Sequence, residues 1–316
     1  MRLYPEDTPL TMNPCYGELK PITLSWTRLS DWLKCHHRVK LIYTGKKNQR
    51  INARSFLAGK VVDLCLRRTL EEAECGADGR VLFISKDHLL RHAEEIWDDS
   101  VTNPEKGRFI EWKGPDILSD QKNLFRNVTR SLKNLHPILE DRVVGHRVLP
   151  EFRPRNHPVV GIPGLDGETS FIRLFLAVDI LLQEHEDPVD PKGFGEWSII
   201  DLKTTASDQY LSKTLPQLVF YDIAFHALTG ERPIGHELWA PLVNDSIRSV
   251  VVTDEHRRQM MSWIISFCHG VWSGEDALTT NTDNCFGCPT YDACPKRVRP
   301  TGKDEKGRYR ISFLDL

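Results

Sequence analysis

Apolar residues recur at helical spacing through most of the first 140 residues. The first such segment, SWTRLSDWLKCHHRVKLIY, begins at Ser25, which is a suitable N-terminal cap. The same pattern predicts three further helices, over ARSFLAGKVVDLCLRRTLEEAE, SKDHLLRHAEEIW and DQKNLFRNVTRSLKNLHPIL. We therefore expect the N-terminal part of the chain to be mainly helical.

After Leu139 the pattern changes and predicts strands over DRVVGHRVLPEFRP, SFIRLFLAVDILLQ and EWSIIDLKTT. A loop rich in proline and glycine joins the last two, which indicates a hairpin or a meander. The segment LPQLVFYDIAFHALTG predicts a helix with Thr214 as its cap, Pro216 in its first turn and Gly230 at its end. Two short strands, HELWAPLV and RSVVVT, and a helix from about Asp254 to Trp272 follow.

This order of elements predicts an α/β fold, with a mixed β-sheet flanked by helices and a helical part in front. We divide the chain into an N-terminal extension (1–24), a helical part (25–140), a sheet-containing core (141–272) and a cysteine segment with a basic tail (273–316). Residues 25–297 are expected to form one compact domain.

Composition narrows the class of protein. The chain of 316 residues is 40% hydrophobic and 27% charged, as in soluble globular proteins. Its N-terminus lacks the features of a signal peptide, and no segment has the roughly 18 uncharged apolar residues of a membrane span. We therefore expect a cytoplasmic protein, of cellular or viral origin, with no membrane partner. Closely spaced cysteines in a reducing compartment are better interpreted as metal ligands than as disulfides.

Three charged residues interrupt the apolar strands. Asp179 lies within LFLAVDILL, and Asp201 and Lys203 lie within SIIDLKTT. A buried carboxylate must be paired, bind a metal or shift its pKa. Alternation along a strand places Asp201 and Lys203 on one face, roughly 7 Å apart, and Asp179 joins them if the two strands pair. An internal Asp–Lys ion pair is the alternative interpretation.

Two carboxylates suit a hard divalent cation such as Mg²⁺. The lysine can then orient a water molecule or stabilise charge on a phosphoryl oxygen. On the following helix, Gln217 and Tyr221 are four residues apart and share a face, where they can hold a nucleic-acid backbone or orient the water.

The series AVDILL, IIDLKTT and QLVFY resembles the PD-(D/E)XK nuclease superfamily, and more closely its RecB-like branch. The resemblance implies a restriction-endonuclease-like core, Mg²⁺ or Mn²⁺ as cofactor, and catalytic roles for Asp179, Asp201, Lys203, Gln217 and Tyr221. Glu151 falls where that branch often has an additional acidic residue. The branch also has a helix with G-x3-H, whose histidine helps to bind the metal. Here the matching residues are Gly59 and Asp63, so aspartate replaces histidine. The resemblance implies Asp63 and Glu151 as further metal ligands beside Asp179 and Asp201, since an aspartate can still bind a hard cation directly or through water. A solvated helix residue is the alternative for Asp63.

Three cysteines follow in C-x2-C-x5-C spacing, whereas thiolate metal sites usually take four ligands. Several RecB-like nucleases hold a 4Fe–4S cluster with three C-terminal cysteines and one from far upstream. The resemblance implies the same here, with Cys35 as the best fourth ligand beside Cys285, Cys288 and Cys294. The alternative fourth ligands are Cys15, Cys65, Cys75, Cys268 and His269. Zn²⁺ is the alternative metal, and a segment without metal is the third possibility.

The net charge of −2 gives no general attraction to nucleic acid, but two segments are basic. Residues 34–50 contain six Lys/Arg and no acid, and residues 296–310 contain seven against two acids. A cluster joining Cys35 to the C-terminal cysteines would bring these segments together as a phosphate-binding rim. A solvated face or tail is the alternative. The candidate DNA-binding residues are Lys46, Lys47, Arg50, Arg297 and Arg299.

The predicted function is therefore a metal-dependent DNA nuclease, more specifically an exonuclease that processes DNA ends in recombination, repair or a related process. Its expected partner is DNA, single-stranded or with free ends, and the sequence does not identify a protein partner. Two alternatives remain: a catalytically inactive DNA-binding or scaffold protein with the same fold, and a zinc-stabilised phosphoesterase.

Overall fold

A computed structural model describes residues 8–45, 51–52, 54–103, 108–112, 116–185, 196–204, 214–243, 246–278, 285, 288, 290, 293–295, 298–303 and 309–313. The helices in these ranges are α1 (Trp26–Lys34), α2 (His36–Tyr43), α3 (Arg54–Glu71), α4 (Lys86–Thr102), α5 (Ile117–Arg142), α6 (Leu215–Thr229) and α7 (Asp254–Ser273). The strands of the N-terminal part are β1 (Asn13–Cys15), β2 (Glu18–Lys20), β3 (Thr23–Leu24), β4 (Ile51–Asn52), β5 (Glu74–Cys75), β6 (Val81–Phe83) and β7 (Arg108–Phe109). The later strands are β8 (Arg147–Phe152), β9 (Val159–Pro163), β10 (Thr169–Leu174), β11 (Val178–His185), β12 (Glu196–Leu202), β13 (Gly235–Trp239), β14 (Ile247–Ser249), β15 (Val298–Lys303) and β16 (Tyr309–Phe313).

The chain divides into two compact units. The sheet unit comprises Asn52–Pro158 and Leu176–Met260, and the cysteine unit comprises Met1–Ile51, Val159–Phe175 and Met261–Leu316. Among the described residues, no helix combines the length and the apolar character that a membrane crossing requires.

A five-stranded sheet in the order β14-β13-β12-β11-β8 forms the centre of the sheet unit. β12 and β13 run parallel, and the other neighbouring strands are antiparallel. The predicted mixed sheet is therefore confirmed, as is the hairpin between β11 and β12, whose register pairs Ile180 with Ile200.

Helices α3, α4 and α5 supply the main core of the sheet unit. Ile180 and Ile200 belong to one buried cluster with Val61, Leu89 and Leu132 from these helices. Burying each such aliphatic side chain contributes roughly 1.5–3 kcal/mol. The helical spacing of apolar residues in the sequence therefore corresponds to the faces that cover the sheet.

Helix α6 begins and ends where its sequence predicts. Pro216 lies in the first turn, and Gly230 ends the helix with a φ of 84°, a left-handed conformation that favours glycine. Thr214 precedes the helix, but its hydroxyl makes no capping hydrogen bond among the described residues. Burial of Leu218, Phe220 and other side chains therefore stabilises α6 without that cap.

The predicted strand SFIRLFLAVDILLQ is in fact two strands in two different sheets. β10 lies in the cysteine unit, between β3 and β9, whereas β11 lies in the five-stranded sheet. Between them, the Phe175 N–H donates to Leu24 O (2.7 Å) and the Leu176 N–H donates to His157 Nδ1 (3.3 Å). Apolar residues continue without interruption from β10 into β11, so the sequence pattern did not show that the two strands belong to different sheets.

The first predicted helix is likewise two helices, separated at Cys35. Cys35 has an extended backbone (φ −168°, ψ 114°) and lies between α1 and α2. Two residues further along the chain, the His37 N–H donates to Ala277 O at 3.1 Å. A carbonyl group from a distant part of the sequence thus accepts the hydrogen bond that this N–H would have donated within a continuous helix.

Candidate active site

Two carboxylates meet at one end of the β11–β12 hairpin. Asp179 is the second residue of β11, and Asp201 is the last but one of β12. The register places them opposite each other, one position beyond the Ile180–Ile200 pair. The Asp179 carboxylate also accepts a hydrogen bond from the Leu202 N–H (2.8 Å), which fixes its direction at the end of the hairpin.

Burial makes this carboxylate pair electrostatically unusual. The Asp201 residue is 1% exposed, and burial raises its pKa, while Lys203 opposes the shift and the neighbouring Asp179 carboxylate adds to it. Burial also raises the pKa of Asp179, against the effects of Lys203 and the Leu202 N–H. A second positive charge at this position would stabilise both carboxylates in their ionised form.

Lys203 continues the site towards helix α6. Its ammonium lies 2.6 Å from Asp201 Oδ2 and donates a 3.4 Å hydrogen bond to Gln217 Oε1. The Gln217 amide in turn donates to the Tyr221 hydroxyl at 3.0 Å. Burial raises the pKa of Tyr221, with Asp179 adding to the shift, so the phenol stays protonated and able to donate a hydrogen bond.

Helix α3 brings a third carboxylate towards the site. A Cβ added at Gly59 would lie 3.1 Å from Thr204 Oγ1, so the glycine allows the helix to pass close to the end of β12. One turn later comes Asp63, whose pKa is raised to about 6 by burial and by the Asp179 and Glu151 carboxylates. Asp63 therefore lies in the electrostatic neighbourhood of these two acids.

Glu151 occupies an unusual position on β8. Its φ of 46° is left-handed, which is rare for a residue with a side chain. Its carboxylate pairs with Arg67 of α3 and, at 2.5 Å, with Arg153. Sequence reasoning missed both arginines. One signal was available, because Arg67 is four residues after Asp63 and so shares its face of the helix.

The donor set fits a divalent cation in its chemistry. Asp201 Oδ1 is buried and has no hydrogen-bond partner among the described residues, and carboxylate oxygens are the ligands that Mg²⁺ and Mn²⁺ prefer. Within the same residues, however, no three His, Cys, Asp or Glu side chains form a group that could hold a metal ion. Asp201 is instead paired with Lys203.

The cysteine unit contains all four predicted cluster ligands. Cys35 lines a pocket of about 200 Å³ together with Trp32, His36, Ala277 and Leu278. Ala277 and Leu278 are the last described residues before Cys285 along the chain. Among the described residues, these cysteines do not form a group that could hold a metal ion.

A backbone turn joins the first two of the described C-terminal cysteines. The Cys288 N–H donates to Cys285 O at 3.3 Å, and the Cys288 thiol lies 3.3 Å from the Thr290 hydroxyl. Of the alternative ligands, Cys15, Cys65 and Cys268 are buried in the interior, whereas Cys75 is exposed.

The basic residues are mostly beyond the described parts of the chain. Lys46, Lys47, Arg50 and Arg297 lie outside the described residues, and for Arg299 the description covers the backbone strand β15 only. The predicted phosphate-binding rim therefore stays a prediction.

Comparison with known proteins identifies the family. A scan against models of protein families matches residues 23–295 to the PD-(D/E)XK nuclease superfamily. Because this match covers most of the chain, the protein belongs to the PD-(D/E)XK nuclease superfamily. Its members are generally hydrolytic nucleases that typically use Mg²⁺ or Mn²⁺, which implies a nucleic-acid substrate. A search of curated proteins found no significant match.

Proposed function

We propose that the protein is a metal-dependent deoxyribonuclease, and more specifically an exonuclease that acts on single-stranded DNA or on DNA ends. The observation that carries the proposal is the buried Asp179–Asp201 pair with the Lys203 ammonium 2.6 Å from Asp201. The superfamily match supports a nuclease. The RecB-like order of motifs supports action on DNA ends in recombination, repair or a related process.

Each residue of the site has its own proposed role. Asp179 and Asp201 would hold the cation, with Asp63 as a third carboxylate. The sequence also predicts Glu151 as a ligand, but its carboxylate is paired with Arg67 and Arg153. When bound, Mg²⁺ or Mn²⁺ supplies Lewis acidity and lowers the pKa of a water molecule. With a cation held by Asp179 and Asp201, Lys203 would be able to interact with the scissile phosphate and stabilise its developing charge. Gln217 holds Lys203 from one side and is itself held by Tyr221.

We also propose a structural 4Fe–4S cluster held by Cys35, Cys285, Cys288 and Cys294 in the cysteine unit. Its support is the break between α1 and α2, which leaves Cys35 in an extended backbone, lining one pocket with Ala277 and Leu278. A bound cluster would supply mechanical linkage and would take no part in hydrolysis. Measuring the iron content would distinguish this cluster from Zn²⁺ bound by the same thiolates.

The test of the catalytic proposal is Asp201→Asn, assayed on end-labelled single-stranded DNA with Mg²⁺ or Mn²⁺. Losing several kcal/mol of charge stabilisation corresponds to a rate lower by about 10³-fold, since each 1.36 kcal/mol is tenfold. The fold should persist, because the change removes a buried charge. Asp98→Asn, at an exposed position of α4, is the matched control and should cleave at the wild-type rate.

Substrate class is tested in the same assay. Circular single-stranded DNA should resist an exonuclease, and end-labelled RNA of the same sequence should be cleaved more slowly. Wild-type rates in a folded Asp201→Asn protein would refute the active-site assignment. A wild-type protein that binds DNA without cutting it would instead indicate a scaffold.

A further inference from the structure

Two arginines from different elements share one carboxylate beside the active site. Arg67 of α3 pairs with Glu151 Oε2, and Arg153 lies 2.5 Å from Glu151 Oε1. Arg67 also lies 3.7 Å from Glu71, one turn further along its helix. The Glu151 side chain is 20% exposed, whereas those of Arg67 and Arg153 are 38% and 56% exposed. Both arginine side chains are therefore partly open to solvent, although Arg67 Nε is buried.

The backbone at Glu151 has a less favourable conformation than an ordinary surface ion pair requires. Glu151 has a φ of 46°, a conformation that costs roughly 1–3 kcal/mol for a residue with a side chain. Pro150 precedes Glu151 on β8, a strand at the edge of the sheet, where proline is tolerated. Exposed ion pairs contribute only about 0–1 kcal/mol, so the pairing by itself does not offset that cost. Strain of this kind is typical of functional sites.

Both arginines lie within electrostatic reach of the proposed metal ligands. Each of them lowers the pKa of Asp63, against the larger effects that raise it, and Arg153 has the same lowering influence on Asp179. β8 pairs with β11 so that Pro150 is opposite Ile180 and Phe152 is opposite Val178. The position between these pairs places Glu151 opposite Asp179.

The charges around the site create a problem for a nucleic-acid substrate. Four carboxylates, those of Asp63, Glu151, Asp179 and Asp201, are set against Lys203 and the two arginines. A phosphodiester chain is repelled by the carboxylates unless cations accompany it. Guanidinium groups are suited to this role because they bind phosphate oxygens in bidentate geometry.

We propose that Arg67 and Arg153 bind a phosphate of the substrate strand next to the scissile one, and that Glu151 is a positioning residue that holds both guanidinium groups in place. This inference rests on the proposed nuclease function and extends it. When the strand arrives, a phosphate oxygen replaces a Glu151 oxygen as the partner of each arginine. Glu151 then acts through the arginines rather than as a ligand of the cation.

The test is the double variant Arg67→Gln/Arg153→Gln, with binding of a single-stranded DNA oligonucleotide measured over a range of salt in Ca²⁺, which suppresses cleavage. We expect Kd to rise roughly tenfold or more. The slope of log K against log salt should become shallower by about 0.7 for each phosphate that the variant no longer neutralises. In Mg²⁺, KM should rise while kcat stays within about threefold of wild type, because positioning groups add substrate binding.

Arg68→Gln is a closely matched control. Arg68 is adjacent on the same helix, is 44% exposed and also pairs with two carboxylates, Glu72 and Glu95. Its substitution should leave both Kd and the salt slope unchanged. An equal loss of affinity in Arg68→Gln would mean that general charge, rather than a specific interaction, accounts for binding, and would overturn the inference.

Glu151→Gln tests the positioning role separately. We expect weaker DNA binding with an unchanged affinity for Mn²⁺ in the absence of DNA, measured by calorimetry. A tenfold loss of Mn²⁺ affinity would make Glu151 a metal ligand and refute the positioning role. If the wild type cleaves DNA while the double variant binds as tightly as wild type with the same slope, only this inference fails. A wild type that neither binds nor cleaves DNA overturns the proposed function as well.

Discussion

At the scale of single residues, the partners of a buried carboxylate distinguish a structural aspartate from one of the proposed catalytic aspartates. Asp222 is fully buried, and its carboxylate lies 2.7 Å from Arg257, 3.1 Å from His236 and 3.0 Å from Arg232. Burial raises its pKa, but hydrogen bonds from His236 and Arg257 outweigh that effect and lower the pKa to about 2. Asp201 is as deeply buried, is paired with Lys203, and has a raised pKa. Asp222 is thus satisfied by protein, whereas Asp201 Oδ1 is buried without a hydrogen-bond partner among the described residues.

We predict that Asp222→Asn destabilises the sheet unit by about 3–5 kcal/mol, because it leaves buried cationic groups without their counter-charge. The free energy of unfolding, measured by urea titration at pH 7, checks this value. Asp254→Asn removes an exposed partner of Arg257 and should cost less than about 1 kcal/mol. Equal effects of the two substitutions would contradict the structural role of Asp222.

The same aspartate predicts a pH dependence of stability. Its folded pKa of about 2 is below the unfolded value of about 3.9. Its contribution is therefore complete above about pH 4 and is lost as the pH falls towards 2, because protonation then favours the unfolded chain. At 1.36 kcal/mol for each pKa unit, the loss is roughly 2 kcal/mol. Between pH 5 and pH 2, unfolding free energies should therefore fall more steeply for the wild type than for Asp222→Asn.

Local periodicity explains which site residues the sequence revealed. Asp201 and Lys203 are two positions apart at the end of a strand, and Gln217 and Tyr221 are four apart on a helix, so the spacing predicted that each pair shares a face. Arg67 and Arg153 meet at Glu151 only through tertiary structure. The left-handed backbone of Glu151 is likewise invisible in a pattern of apolar and polar positions.

At the scale of elements, α6 and the β11–β12 hairpin were predictable because proline and glycine mark their ends. The breaks at Cys35 and Phe175 were not predictable, because backbone groups distant in sequence form hydrogen bonds with the chain at these positions. The short strands of the first 140 residues were also missed. Strands of two or three residues are too short to show an alternation of their own.

Close packing of α7 on α1 in the cysteine unit leads to a prediction about Gly270. A Cβ at this position would lie 2.2–2.3 Å from two ring atoms of Trp32, a fully packed indole. We expect Gly270→Ala to cost about 1–3 kcal/mol or more, since the ring has to shift. Thermal unfolding should show a clearly lower Tm than wild type.

Ser262→Ala, at an exposed position on the same helix, is the control and should be near neutral. Because Trp32 also lines the pocket beside Cys35, Gly270→Ala should in addition lower the metal content of the purified protein. A Tm equal to that of wild type would mean that α1 and α7 do not pack as described.

At the scale of the whole molecule, the cysteine unit is assembled from three separate stretches of chain. Its pairings include β3 with β10 and the ion pair between Lys40 and Asp276 at 2.6 Å. The latter is exposed and contributes little on its own. Holding such distant segments together costs chain entropy, which a covalent or metal cross-link reduces in the unfolded state. A cluster joining Cys35 to the C-terminal cysteines would act at the point where that cost is greatest.

We therefore predict that Cys35→Ser loses as much bound iron and as much stability as Cys288→Ser. The measurements are iron per protein chain, absorbance near 400 nm and Tm, all on protein purified without oxygen. Cys75→Ser is the control, because Cys75 is exposed on β5 of the sheet unit and should retain full iron. Removing the metal from wild-type protein with a chelator should lower Tm towards that of Cys35→Ser and leave the Tm of Cys35→Ser unchanged. A full complement of iron in Cys35→Ser would mean that the fourth ligand is another residue. Zinc instead of iron in the wild type would mean that a zinc ion, rather than a cluster, forms the cross-link.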